Sequence, residues 1–167
     1  MAKSKAIDIA VIGEVDDWEE DVIKALLEVP AGGECVLYID SAGGSVYGAL
    51  AVLALLRHRR LTATAVVLGE CSSASLLVFA GCKKRVVTRY SAFLFHRMHW
   101  ESDKRVSSTE ALSWARHFDQ IEKDTDDLLV RLFGAAEERV RGWTASDQFV
   151  MGPELVQAGL AELMEVG

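Results

Sequence analysis

The tightest constraint on what this chain can fold into is a short polar turn held between two apolar runs. Thr64-Ala65-Val66-Val67-Leu68 is a β-rich stretch, and Leu76-Leu77-Val78-Phe79-Ala80 reads as a buried helix. Between them lies Gly69-Glu70-Cys71-Ser72-Ser73-Ala74-Ser75. A turn from a buried strand into a buried helix sets hydroxyls and unpaired backbone N–H groups at a helix N-terminus, where the partial charge is positive. A serine there is either the cap of the helix or a nucleophile beside its own oxyanion donors. Two further stretches bear on the choice. Val36-Leu37-Tyr38-Ile39-Asp40 leads into Ser41-Ala42-Gly43-Gly44-Ser45-Val46, and Phe93-Leu94-Phe95-His96 is a strand ending on histidine. In open α/β sheets, sites collect at the carboxyl ends of strands.

These residues carry a resemblance. Ser41-Ala42-Gly43-Gly44-Ser45-Val46 is similar to the Ser-Pro-Gly-Gly motif of the Clp protease proteolytic subunit (ClpP) family. Gly69-Glu70-Cys71-Ser72-Ser73-Ala74 resembles that family's Gly-Gln-Ala-Ala-Ser-Met turn, and Leu94-Phe95-His96 its Met-Ile-His. Asp147-Gln148-Phe149-Val150-Met151-Gly152-Pro153-Glu154, followed by Ala158-Gly159-Leu160, resembles Asp-Arg-Phe-Leu-Ser-Ala-Pro-Glu and Tyr-Gly-Leu. Four motifs in the family's order run from about Val36 to the C-terminus.

The resemblance implies an α/β fold of the ClpP/crotonase-type ββα superhelix. It implies a serine endopeptidase acting on extended or unfolded peptides, with Ser73 as nucleophile, His96 as base and Asp147 holding the imidazole. The oxyanion donors would be the N–H groups of Gly44 and Ala74. Substrate backbone would pair near Gly43, Ser45 and Val46 and with the segment after His96, which includes Arg97. Neither a metal nor a cofactor is implied.

Composition is consistent with this. At 167 residues, half of them apolar and two of them proline, the chain suits one domain over residues 1–167. A formal charge of −7 weighs against a nucleic-acid surface. Cys35, Cys71 and Cys82 are odd in number, lack CxxC spacing and sit in or beside apolar runs. They read as reduced core thiols, and so as a cytoplasmic protein. Cys71 competes as a nucleophile because it shares the turn. Met1-Ala2-Lys3-Ser4-Lys5 is basic, but Asp8, Glu14, Asp16 and Asp17 break the apolar stretch behind it, which is unlike a signal peptide. No apolar run is long enough to span a bilayer.

Periodicity places the elements. Strands are expected over 6–13, 34–40, 64–68, 93–96 and 160–164. Helices are expected from a cap at Asp16 or Asp17 through Leu27, over 46–58 with burial nearly all round, behind the serine turn, over 135–141 and from Pro153 to Gly159. Lys83-Lys84-Arg85 reads as a charged turn, and Trp143 to Asp147 as a loop. A long amphipathic helix should start at Ser107 or Ser108 and reach about Leu132. Its apolar face is Leu112, Ala115, Phe118, Ile121, Leu128 and Leu129.

Alternatives stand beside each assignment. Ser72 and Ser75 are the register alternatives to Ser73. His99 is the alternative to His96, and their odd spacing on an extended segment should face them oppositely. His58 and His117 read as solvated. A dyad using Lys83 or Lys84 would have to cross the intervening helix, more than ~10 Å. Gly44 should let backbone approach a substrate carbonyl, and no Gly-Lys-Ser/Thr follows to make a phosphate loop.

Several positions depart from the family pattern. Ala42 stands for a proline, Ser75 for a glycine and Arg97-Met98 for Gln-Pro. Residues 98–104 replace a glycine-rich strand that joins rings, and the segment before the first strand is shorter than the family's axial gate. The long helix with its Trp114 and Phe118 points to a homo-oligomer formed through it, as does the resemblance, and the departures point to one that does not need a Clp ATPase. The competing functions are a catalytically silent ClpP-like structural subunit and a crotonase-type acyl-CoA enzyme.

Overall fold

A parallel sheet supplies the frame in the computed structural model, which describes residues 6–101 and 105–167. The basic Met1–Lys5 and residues 102–104 of the stretch replacing the glycine-rich strand lie outside the described residues. Strands β1 (Ile7–Glu14), β2 (Glu34–Gly43), β3 (Thr62–Cys71), β4 (Lys84–Val87) and β7 (Glu162–Leu163) lie in the order β1-β2-β3-β4-β7, all parallel. Strands β5 (Ala92–Phe95) and β6 (Gln148–Met151) pair antiparallel, and β5 is hung from the end of β3 at Glu70↔Ala92.

The register follows from alternation. Ile9, Leu37 and Ala65 form one buried row across three strands, and Val11, Ile39 and Val67 the next. Period-two side chains point to one face, so a slip of one residue would turn both rows outward. The register shifts between Ile12 and Glu14, and again between Ile39 and Ser41. Both irregularities lie at the carboxyl ends of the strands, where bulges re-aim the chain. The Asp40 carboxylate accepts the Glu70 N–H at 2.9 Å and ties these ends together.

Six helices accompany the sheet among the described residues: α1 (Val15–Glu28), α2 (Val46–His58), α3 (Ser75–Gly81), α4 (Ser108–Phe133), α5 (Glu137–Ala145) and α6 (Gly152–Gln157). The α2 bounds match those expected, with Ser45 as the N-cap, but burial is one-sided: Gly48, Ala49, Val52, Leu53 and Leu56 are buried while Tyr47 is half exposed. Glu14, rather than Asp16 or Asp17, caps α1, in a capping box with Asp17. Ser107 and Glu110 make the capping box of α4. Only the second half of α4 reaches the core, through Thr125, Leu129, Val130 and Phe133. Leu112, expected on the buried face, is 61% exposed. The first half carries no buried residue, although Trp100 stacks on Phe118 and Tyr47 on His117, so amphipathic pattern and burial part company there.

Three boundaries differ more. β4 begins inside the expected charged turn, because Arg85 folds back onto the Leu160 and Ala80 carbonyls and Lys84 pairs with Glu162 at 3.0 Å. α5 runs on to Ala145 because Trp143 is buried against Phe95, ring centroids 5.1 Å apart. β6 lies where no strand was expected; four residues are too few to show a period by themselves, and only the partner β5 makes them a strand.

Beneath β5 lies an aromatic cluster. Phe79 sits 5.3 Å from Phe93 and 6.1 Å from Phe133, centroid to centroid, and Phe95 6.4 Å from Phe133. Phe79, Phe93 and Phe95 have no exposed surface. Phe79→Ala should therefore lower the unfolding free energy by about 3–5 kcal/mol, read as an earlier urea midpoint with an unchanged slope.

Candidate active site

The serine turn is anchored from two sides. The Ser72 N–H donates to the Ser41 carbonyl at the end of β2, and the Ser73 N–H to the Leu94 carbonyl on β5, both at 2.9 Å. In return the Leu94 N–H donates to Ser72 Oγ at 2.9 Å. Ser73 is forced into the left-handed region, φ 56°. A non-glycine residue held there costs on the order of 1–3 kcal/mol and persists only where its surroundings over-determine it.

The glycine pair accounts for the closeness of the two loops. A Cβ at position 43 would lie 2.5 Å from the Ser73 Cβ and 2.8 Å from the Ser72 carbonyl oxygen, and Gly43 has φ 104°. No side chain fits that approach. Gly44 (φ 128°) lines the cavity, but a Cβ there would face the start of α1, 3.1 Å from the Val15 nitrogen. Gly43 thus makes a close approach of its own, against the serine turn. The Ser45 hydroxyl is engaged in capping α2, accepting from the Gly48 N–H at 3.4 Å.

Burial separates the candidate nucleophiles. Ser72 and Ser75 are buried and used structurally: Ser75 Oγ shares its proton between the Ser72 and Ser41 carbonyls. Cys71 is fully buried, and burial pushes its thiol up to about 12, so it is not a thiolate near neutral pH. Ser73 is half-buried and faces a cavity of about 340 Å³. The N-cap of α3 is Ala74, with no side-chain capping bond, so Ser73 is not the cap. The Ala74 N–H has no backbone partner among the described residues.

The β5·β6 ladder leads toward His96 and Asp147. Its pairs run Ala92↔Met151, Phe93↔Val150, Leu94↔Phe149 and Phe95↔Gln148. The ladder ends there, one residue short of His96 and of Asp147. The Asp147 carboxylate accepts the Arg97 N–H at 3.0 Å, and the Glu122 carboxylate the Met98 N–H at 3.2 Å. Neither a Ser73–His96 nor a His96–Asp147 hydrogen bond is formed among the described residues.

His99 does not face away from His96. β5 stops at Phe95, the chain beyond it is not extended strand, and the two rings lie 5.4 Å apart on the same cavity as Ser73. Strand alternation therefore does not separate them. Gly44, Val46 and Ala74 line this cavity, whereas Arg97 lines a neighbouring one. Lys84 is committed to Glu162, and His117 is exposed, stacked on Tyr47. No group of three or more His, Cys, Asp or Glu side chains among the described residues is arranged to hold a metal ion. No helix among them is long and apolar enough to cross a membrane.

Two residues have parts that were not assigned to them from the sequence. Ser41, 2% exposed, gathers the Gly43 N–H and Trp18 Nε1 on its hydroxyl and the serine turn on its carbonyl. Glu122 looks like any exposed helix position until α4 is laid beside Met98.

Comparison with known proteins gives a consistent set. The sequence profile of the Clp protease family matches residues 3–165. The chain is 29% identical over 157 residues to the ATP-dependent Clp protease proteolytic subunit 4 of Rhodococcus jostii, covering 90% of this chain and 80% of that one. It is 30% identical over 160 residues to the ATP-dependent Clp protease proteolytic subunit of Ligilactobacillus salivarius, covering 92% and 80%. The corresponding subunit of Porphyromonas gingivalis is 24% identical over 155 residues, covering 89% and 69%.

The two serines should separate in stability. Ser72→Ala leaves the Leu94 N–H unpaired and should cost about 1–3 kcal/mol. Ser73→Ala removes no such bond and should stay within about 0.5 kcal/mol of wild type. Chemical denaturation of both variants reads the difference; equal losses would mean that the Ser73 side chain is structural.

Proposed function

The chain belongs to the Clp protease family, and we propose that it is a serine endopeptidase that cleaves extended or unfolded peptides with Ser73, His96 and Asp147. What carries this reading is one observation: Ser73, in a left-handed backbone conformation, shares a cavity with His96, while Ser72, Ser75 and Cys71 are buried out of reach. Ser73 Oγ attacks the substrate carbonyl and its proton passes to His96. Oxygen takes up the negative charge against the N–H groups of Gly44 and Ala74. His96 then returns the proton to the leaving amine, and water, deprotonated by His96, hydrolyses the acyl-serine. Asp147, just before β6 as His96 is just after β5, selects the imidazole tautomer. Substrate backbone runs along Gly43–Val46 and the chain after His96.

Residues 1–167 act as one domain in this reading, and the three free buried cysteines favour a cytoplasmic setting. The relatives are named as ATP-dependent subunits. The chemistry here uses only water and side chains, so short peptides should be cleaved with no nucleotide present. We further infer a homo-oligomer built through α4. Support comes from its exposed first half, where Trp100 stacks on Phe118 (5.2 Å) and meets Trp114 edge-on (5.7 Å) with Leu112 beyond.

The unclosed triad favours a second reading, a catalytically silent subunit. In an unliganded site such bonds are often long and tighten on substrate binding. A fluorophosphonate probe decides. Wild type should be labelled at Ser73 and Ser73→Ala should not, with peptide cleavage falling roughly 10⁶-fold. His96→Ala should be equally inactive. Absence of labelling in the folded wild-type protein would establish the silent reading. Light scattering at micromolar concentration should give a multiple of 18.3 kDa; a monomer would remove the oligomer.

A further inference from the structure

Gly43 and Gly44 stand in succession with φ 104° and 128°, and glycine enters that region about as readily as any other. In the peptidase reading above, the Gly44 N–H takes up charge, and its direction depends on the peptide plane between these two residues. Such a donor is effective only when it is aimed before the reaction begins. Something outside the pair must therefore hold it.

Trp18, one turn into α1 and 4% exposed, brings its indole to this place. Its Nε1–H is shared between the Gly13 carbonyl and the Ser41 hydroxyl, 3.2 Å from each. The same hydroxyl accepts the Gly43 N–H at 3.3 Å. Two N–H donors thus meet on one buried oxygen. The β1·β2 ladder also breaks step here: Ile12 faces Asp40 and Glu14 faces Gly43, which leaves one extra residue on β2. Gly13 and Ser41 lie inside that irregularity, so the indole bridges the two strand ends where the ladder is interrupted.

We propose that Trp18 is a positioning residue for the reaction: its indole N–H orients the Ser41 hydroxyl as an acceptor for the Gly43 N–H, and so aims the neighbouring Gly44 N–H. The proposal rests on the peptidase reading. A serine hydroxyl rotates to suit its partners. A donor fixed on it from α1 leaves the other lone pair to Gly43. Without the indole N–H the hydroxyl can turn, and the glycine pair regains its freedom. The Ser41 carbonyl meanwhile keeps the Ser72 N–H and the Ser75 hydroxyl, so the turn that carries Ser73 stays where it is. The loss therefore falls on transition-state charge rather than on substrate binding, that is, on kcat rather than KM.

Trp18→Phe keeps a ring in place and removes the N–H. In the folded variant, kcat on a fluorogenic peptide should fall about tenfold, the equivalent of roughly one neutral hydrogen bond, with KM unchanged. Amide hydrogen exchange at Gly43, followed by NMR, should speed up. Ser41→Ala should lose at least as much, and adding Trp18→Phe to it should cost nothing further, because both act through one oxygen. Val22→Ala, one turn further along α1 and buried, reports lost packing alone and should keep the wild-type kcat. Unchanged kcat in Trp18→Phe overturns the proposal, as does a change confined to KM, unmoved Gly43 exchange, or an equal loss in Val22→Ala. If Ser41→Ala fails to fold, the single variant and the exchange decide. Fluorophosphonate labelling run in parallel keeps the two readings apart. Ser73 labelled with wild-type kcat in Trp18→Phe removes the positioning role alone; no labelling and no cleavage in wild type removes the peptidase, and the role with it.

Discussion

Two backbone hydrogen bonds, Ser72 N–H to the Ser41 carbonyl and Ser73 N–H to the Leu94 carbonyl, hold the site together. Each joins the serine turn to a different strand, one in the main sheet and one in the β5·β6 pair. Between them they fix the backbone of Ser73 in a region that serine rarely enters. They also bring the glycine pair and the histidine strand to the same few ångströms. Gly43 is the geometric consequence: the space its Cβ would fill is already taken by Ser73. The parallel sheet below exists, from the point of view of the site, to deliver Ser41 and Ser73 side by side.

The histidine and aspartate are delivered by separate means. They come from the antiparallel β5·β6 pair, whose position depends on the aromatic cluster of Phe79, Phe93, Phe95, Phe133 and Trp143. Packing of that cluster is shared with the second half of α4, which forms one wall of the cavity. The first half of α4 has no such duty. Trp100 packs against its Trp114 and Phe118, while Glu122 ties the middle of the same helix to the segment after His96.

Among the described residues four non-glycine residues have positive φ, and two of them, Ser73 (56°) and Asp147 (48°), belong to the proposed site. Each lowers stability somewhat, and the fully packed strands and α3 offset them. Sites commonly violate local rules that the rest of a fold obeys.

By itself the sequence determined the strand–helix alternation, the bounds of α2, the start of α4 and the identity of the serine turn, because these are set by local period, caps and glycine chemistry. The order of four short motifs determined the family. Tertiary structure decided the rest. It made Gln148–Met151 a strand, since four residues pair only when a partner is present. It brought His99 round beside His96 by ending β5 at Phe95, which alternation along a strand could not anticipate. It left Leu112 in solvent although its spacing is that of a buried face, because period tells which side of a helix is apolar and not whether anything covers it. And it set Asp126 beside the serine cavity, 53 positions on in the chain, a juxtaposition that only the packing of α4 against α3 creates.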